Sequence, residues 1–513
     1  MSLAHLDNVT GSTQAISGVY YPESAADVVD IVRSHRSPRR PLYPVSRGLN
    51  WGYGSRSPVT ADNALLDLSR MNRILNADDI SLDFPIAIIE PGVTQAQLSA
   101  FLAERCPELT FNVTGAGCDT SILGNALDRG VGYFGPRKED LFGLEIVTGT
   151  GEMLRTGFRR LGEDSPLAHC HPYGLGPMLD GLFFQGNFGI VTSACFRLIP
   201  RRPKEVAISM ALREVRFLAE FIDLMARFKR EGLLSSVTHI GNKARTQSTL
   251  SYGVTAYLER ECGYTPERAA AEADQAIALV APNEWTSLAA ITGNAGQVRS
   301  AIREIRRRVG HIARVMVVTD TLLDVGYALT HALRFLPFAR ANAAAIHAIR
   351  PLHKLALGMP TDAPIDNLLW QYGRADLPAS ALDESPCGLL FVNPALPLDG
   401  GAVVAVVDEL RAVAERHGHK LYITLNIETS TSMVAVINLL FDRSSPEEVA
   451  RAHRCAGDML AAIRRRGLEA YRARADMMRD IVEDNAYWRT IRRLKEIFDP
   501  DDIIAPGRYN LSA

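Results

Sequence analysis

Little in this sequence points to a metal, a membrane or a nucleic acid. Its seven cysteines are scattered, and no two stand in a CxxC pair. An odd, dispersed set in a long chain predicts reduced thiols in the cytoplasm and not a disulfide framework. Lys plus Arg (56) nearly balance Asp plus Glu (58), so no basic field exists to hold nucleic acid. No apolar run approaches the ~18–20 residues of a membrane helix. The stretch Met1 to Tyr20 is polar and lacks the apolar core of a signal peptide. Walker A, HExxH and GxSxG patterns are absent, which removes the simplest nucleotide hydrolase, zinc protease and serine hydrolase readings. His169-Cys170-His171 reads as an exposed loop, since three adjacent residues do not face one ion and no second ligand pair stands at metal spacing. Aromatics are also lean, at 7%.

What is present is glycine, 39 of them, together with 27 prolines in 513 residues. That length suggests two to four domains. The first two hundred residues alternate short apolar runs with glycine-bearing loops. Residues 26–36 carry Val28, Val29, Ile31 and Val32 at helical spacing. Residues 41–45 and 87–89 read as strands, and Thr94 is placed to cap a helix bearing Leu98, Phe101 and Leu102. Segments 144–147 and 153–156 flank Gly149-Thr150-Gly151, a hairpin signal, and 190–199 is a further strand. The block reads as α+β. After Pro203 the texture changes to Ala- and Arg-rich helices at 267–280, 298–309, 326–334 and 403–417, with strands at 313–319 and 421–427. The Arg306–Arg308 and Arg464–Arg466 runs read as solvated helix surface. From Gly467 the chain ends in a compact, turn-rich tail.

Three glycine segments bear on chemistry. Gly130-Val131-Gly132-Tyr133-Phe134-Gly135 matches the dinucleotide fingerprint, but it follows a helical segment and precedes Pro136. A Rossmann site needs a strand before it and a helix after it, so this match is set aside. Pro44 to Gly54 packs three glycines and Asn50 into seven residues, which allows successive N–H groups to face one anion. Thr114 to Asn125 places hydroxyls and glycines ahead of a helix start, where the dipole favours phosphate. Either loop alone reads as a turn. Together, in one α+β block, they point to a bound pyrophosphate.

These segments resemble the FAD-linked oxidases typified by vanillyl-alcohol oxidase and the p-cresol methylhydroxylase flavoprotein. The match runs in order through Pro44–Gly54, Glu90–Thr94, Ser121–Tyr133, Leu144–Gly157, Pro172–Phe183, Asn187–Thr192 and Ile503–Arg508, and is weak over about 205–440. The resemblance implies an FAD-binding domain built from both chain ends (1–207 and 467–513) around an α+β cap with an antiparallel sheet (208–466). It implies that Ser46, Arg47, Gly48, Leu49, Asn50, Gly52 and Tyr53, with Thr120, Ser121, Gly124 and Asn125, hold the pyrophosphate. Glu145, Gly189, Ile190 and Val191 are expected along the adenosine and ribityl side, and Arg508 near the flavin. By the same resemblance, Tyr53, Tyr471 and Arg472 bind a phenolate, stabilising it over the phenol.

Asp119 falls near where some relatives keep an acid beside flavin N5; as a proton acceptor or as a helix cap it is equally well read. The sequence also departs from the pattern. Arg129 to Tyr133 continues with Phe134-Gly135-Pro136-Arg137 where the family commonly has Thr-Pro-Tyr-Gly, and Leu389 stands where vanillyl-alcohol oxidase has its FAD-linking histidine. Tyr372 and, more remotely, Cys118 are the alternatives for a covalent link; non-covalent FAD is the expectation. The implied activity is oxidation of a para-substituted phenol at the benzylic carbon, with O₂ or a redox protein as acceptor and a homodimer or larger homo-oligomer. An FAD-dependent hydroxy-acid or sugar-lactone oxidoreductase is the alternative, and a non-catalytic FAD-fold binding protein a third.

Overall fold

The structure, a computed structural model, describes residues 4–510. The first four-stranded sheet centres on Asn63–Asp67, buried at all five positions and flanked in parallel by Ala15–Tyr20 and Leu42–Val45. An apolar strand of this kind is what a parallel pairing covered on both faces requires. Helix Ala25–Arg36 covers it and starts at a capping box, in which Ser24 accepts from Asp27 N–H while Asp27 accepts from Ser24 N–H. The second sheet is antiparallel, in the order Met153–Arg155, Leu141–Thr148, Gly189–Arg197, Ile86–Ile89. Its hairpin turns at Thr148 to Gly151, with Gly151 at φ 75°. Helix Gln95–Arg105 packs beside it, and Thr94 caps it by accepting from Gln97 N–H at 3.1 Å.

The chain end returns to this domain. Leu42 donates to Ile503 at 2.6 Å and accepts from Ala505 at 2.7 Å, so the tail lies alongside the first sheet. Helix Ala486–Phe498 precedes it, held by Lys495, whose ammonium is buried and donates to Asp499, Asn187 O and Ile504 O. The GxGxxG segment forms a small hairpin, Val131–Gly132 against Gly135–Pro136, followed by the short 3-10 turn Arg137–Asp140 and not by an α-helix.

Between these ends stands a nine-stranded antiparallel sheet, running Ala313–Val318, Lys204–Leu212, Trp285–Gly293, Thr238–Asn242, Tyr422–Ile427, Met433–Asp442, Asn393–Leu396, Ala470–Arg472, with Cys387–Phe391 also on Met433–Asp442. Lys204–Leu212 runs through position 207, and Ala470–Arg472 comes from the tail, so both expected domain limits fall within the reach of this one sheet. Helix 326–334 begins earlier than its spacing suggested, at Asp320, because Thr319 accepts from Leu322 N–H and caps it.

Strand alternation gives the sheet two unlike faces. Ile423, Leu425, Ile427, Ile437, Leu439 and Ile240 point into a core roofed by helices Leu218–Arg230, Ala295–Val309, Gly400–Arg416 and Pro446–Arg465. Their neighbours on the other face are His239, Gly241, Asn426, Glu428 and Asn438. That polar face meets the first domain. Val237 N–H donates to Tyr133 O at 2.7 Å, and the Tyr133 and His239 rings lie 4.6 Å apart.

Candidate active site

One cavity runs between the two small sheets and under the cap. The first loop lines it with Ser46, Arg47, Gly48, Leu49 and Asn50, and the second with Thr120, Ser121, Gly124 and Asn125. Gly189, Ile190, Val191 and Arg508 complete its walls. Gly48 sits at φ 70°, a conformation that favours glycine. The N–H groups of Arg47, Gly48 and Leu49 donate to no group among the described residues, and Arg47 pairs with no carboxylate there. Ser121 accepts from Gly124 N–H at 2.9 Å and donates to Pro91 O, which fixes the second loop. A Cβ on Gly189 would stand 2.5 Å from Ile146 Cγ2, so the wall there is closed to any side chain. Free amides, an unpaired cation and glycine walls form a donor set that fits a pyrophosphate.

Not every residue expected here lies on this cavity. Gly52 serves domain contact: a Cβ on it would meet the Phe391 ring at 2.4 Å, and Phe391 N–H donates to its carbonyl. Glu145 sits on a separate cavity, paired with Arg155 at 2.9 Å and accepting from Thr192 at 3.0 Å, because its strand position points away from the cavity lined by the two glycine loops. Asp119 is half-buried, next to Thr120 but off the cavity wall. Tyr372 packs in a cluster with Trp51, Leu368 and Leu389, and Cys118 donates its N–H to Asp362 at 2.6 Å; neither lines the cavity. His169 pairs with Glu163, and His171 lies against the Phe158 ring.

Beside the cavity wall at Arg472, Tyr53 and Tyr471 come together with that arginine, neither tyrosine lining the cavity itself, so Tyr53 does not stand with the residues expected to hold the pyrophosphate; the group surrounds a residue the sequence reading missed. Asp128, on the turn after helix Ile122–Leu127, pairs with Arg472 and with Arg508 (3.0 Å) and accepts from Asn50 at 3.1 Å. Burial alone would raise its pKa, but the two guanidiniums win and hold it below the usual carboxylate range. Its side chain is only 12% exposed, yet two cations against one anion leave one net positive charge. Arg508 also donates to Tyr43 Oη at 3.1 Å. The Arg472 guanidinium lies 4.0 Å over the Tyr53 ring.

The two phenols are set up as donors. Tyr53 Oη accepts from Asn393 Nδ2 at 2.5 Å, which leaves its own O–H proton to point elsewhere. Burial pushes its pKa up to about 12, against the pull of Arg472. The Tyr471 hydroxyl is buried without a partner among the described residues, and burial followed by the nearby Glu428 pushes its pKa well up. Both therefore keep their protons at neutral pH.

Glu428 was likewise missed. It extends the Tyr422–Ile427 strand on its polar side, is 4% exposed, and leaves Oε1 unpartnered. Burial pushes its pKa up to about 7, only partly offset by Ser432 and Lys138. Farther along the same face His239 Nδ1 bonds Asn426 Oδ1 at 2.8 Å while Nε2 is unpartnered, and burial lowers its pKa to about 4. Asp128 had a trace in the sequence, an acid four residues past Gly124 in the phosphate loop; Glu428 had none.

The fold and the cavity define a two-domain FAD-linked oxidoreductase. A family profile described as an FAD binding domain matches residues 16–157. Along nearly its whole length, the chain is 31% identical to 1'-carboxy-chondrochloren decarboxylase of Chondromyces crocatus, over 97% of this chain and 91% of that one. It is 26% identical to the 4-cresol dehydrogenase [hydroxylating] flavoprotein subunit of Pseudomonas putida, over 95% and 86%. Among solved structures, the 4-ethylphenol oxidase of Gulosibacter chungangensis superposes with a TM-score of 0.82 at 23% identity, covering 99% of this chain and 92% of that one. The chain belongs to the vanillyl-alcohol oxidase and p-cresol methylhydroxylase family of FAD-linked oxidases.

Proposed function

We propose that this protein oxidises a para-substituted phenol at its benzylic carbon, by way of a p-quinone methide. The observation that carries the reading is the corner where two proton-bearing tyrosines meet a guanidinium cluster of net charge +1. Bound FAD supplies the two-electron acceptor for the hydride. Ser46 to Asn50 and Thr120 to Asn125 would hold its pyrophosphate, Gly189 to Val191 its ribityl side, and Arg508 would stand near the flavin ring. Tyr53 and Tyr471 donate to the phenolate oxygen, and Arg472 with Arg508 balances its charge against Asp128. Phenolate formation raises electron density at the para carbon, which makes hydride loss from the benzylic position easier.

Glu428, with a pKa close to neutral, takes or returns the proton that ionisation of the phenol or addition of water requires. Asp119 stays a second candidate for that water. FAD is held without a covalent link, because the residue at the histidine position is Leu389 and Tyr372 is occupied in packing. The electron acceptor is O₂ or a redox protein. The free state of all seven cysteines supports a cytoplasmic location, and we take a homodimer or larger assembly as the working form.

The 31% identity to a decarboxylase favours a second outcome for the same chemistry. If the carbon next to the methide bears a carboxylate, that C–C bond breaks and CO₂ departs. The released pair closes the side-chain double bond and restores the phenolate. The Tyr471→Phe/Arg472→Ala double variant tests the shared reading. It is expected to lose phenol turnover by at least 100-fold, on the order of 3 kcal/mol, while retaining flavin. Undiminished turnover of phenolic substrates overturns the pocket assignment.

A further inference from the structure

Arg245 stands in the first turn of helix Lys243–Cys262, where Asn242 accepts from its N–H at 3.0 Å. Its side chain lies over Gly241, on the polar face of the cap sheet: a Cβ on Gly241 would be 3.9 Å from Arg245 Cγ. Its electrostatic neighbours are the Tyr133 hydroxyl and the His239 ring. The other charged group near His239 is Lys229, which donates to the carbonyls of Ser235 and Ser236 at 3.2 and 2.8 Å. Among the described residues no carboxylate pairs with Arg245. Arg245 is half-buried, and a guanidinium partly withdrawn from water without a counter-ion carries a cost. Beside it, His239 Nε2 is a buried polar atom with no partner among the described residues.

The direction of the face gives this cation its meaning. His239 is paired in register with Asn426, and Glu428 follows two residues on, roughly 7 Å along the strand. Glu428 in turn adjoins Tyr471, at the phenolate corner. One continuous polar face therefore has a net positive cluster at one end and an unpaired arginine at the other.

We infer that Arg245 receives a carboxylate on the side chain of the substrate, so that the site takes a para-hydroxyphenyl alkanoic acid or a longer acid of that kind in preference to a neutral alkylphenol. The inference rests on the phenol reading above, which orients the substrate with its phenolate at Tyr53, Tyr471 and Arg472. The bound anion neutralises Arg245, and its charge-assisted hydrogen bonds form at a half-buried guanidinium.

The test is equilibrium binding to the FAD-loaded protein, followed through the visible flavin spectrum and by calorimetry. The probes are 4-hydroxycinnamate, which has no saturated benzylic carbon to oxidise, and its neutral methyl ester. Wild type is expected to bind the acid more tightly than the ester. Arg245→Gln is expected to weaken the acid roughly 10- to 100-fold and leave the ester unchanged, with Arg245→Lys in between. Arg245→Gln is expected to leave the melting temperature of the ligand-free protein unchanged or slightly raised, since it removes an unpaired, half-buried charge; this verifies that the variant folds. Equal effects on acid and ester, or no effect on either, overturn the inference. The Tyr471→Phe/Arg472→Ala protein separates the two readings. If that change weakens both probes while Arg245→Gln is silent, the phenol pocket stands and the carboxylate site falls. If neither probe responds to that change, the phenol reading itself falls.

Discussion

The two glycine loops and the polar face of the cap sheet, the proposed cofactor and substrate regions, are built by opposite means. The loops present backbone: glycines at positive φ, amides with no internal partner, and walls such as Gly189 that admit no side chain. The sheet face presents side chains, set by strand alternation and drawn from distant parts of the chain: His239, Asn426, Glu428, and Tyr471 from the tail. Backbone recognition suits a cofactor common to a family. Side-chain recognition changes with a single substitution, which suits a substrate. The difference between the regions is thus one between what is shared and what is particular.

The largest expected effect lies at their junction. Arg472→Ala leaves Asp128 buried with Arg508 as its single guanidinium partner, and removing one member of a buried ion pair costs roughly 3–5 kcal/mol. Chemical denaturation measures this, and a loss under 1 kcal/mol would show that the cluster serves binding alone. If the Arg508→Ala loss adds to it without coupling, the two guanidiniums do not act through Asp128.

Next comes Glu428→Gln, which tests the sheet face by pH. The folded pKa of Glu428 is raised, from 4.5 to about 7, so the folded state binds its proton more tightly than the unfolded chain does. Stability therefore falls as pH rises through that window, by on the order of 3 kcal/mol for a shift of this size. The glutamine variant is expected to flatten this slope and to remove the limb near pH 7 from the kcat/KM profile. An unchanged profile and slope would assign Glu428 no titration in the working range.

The smallest effect belongs to the loops. Gly189→Ala crowds Ile146, and overpacking of this kind costs roughly 1–3 kcal/mol. The variant is expected to shed flavin during gel filtration while its far-ultraviolet circular dichroism is unchanged. Acid precipitation of the wild type is expected to leave the flavin in the supernatant. Flavin retained in the acid pellet would instead indicate a covalent bond.

Much of the first domain was legible because its signals are local. Ser24 with Asp27, Thr94 with Gln97, and the turn at Gly151 each involve residues within four positions of one another. That the two glycine loops share one cavity was legible for the same reason, since each acts through consecutive residues. Glu145 was misplaced because its neighbours in sequence do not reveal which way a side chain points; the pairing of its strand with Gly189–Arg197 and Met153–Arg155 decides that. Asp128 and Glu428 escaped notice because their partners, Arg472 and Arg508 for one and Tyr471 for the other, lie far away along the chain.

The sequence by itself determined an α+β chain with two glycine loops, capped helices and a returning tail, since propensity, capping and turn chemistry act over a few residues. Only the tertiary structure decided which charges share a site. It set Asp128 between two arginines, raised the pKa of Glu428 by burying it, and left Arg245 without a counter-ion among the described residues. The physical reason is that desolvation and Coulomb interaction depend on distance and burial, and neither is written in the order of the residues.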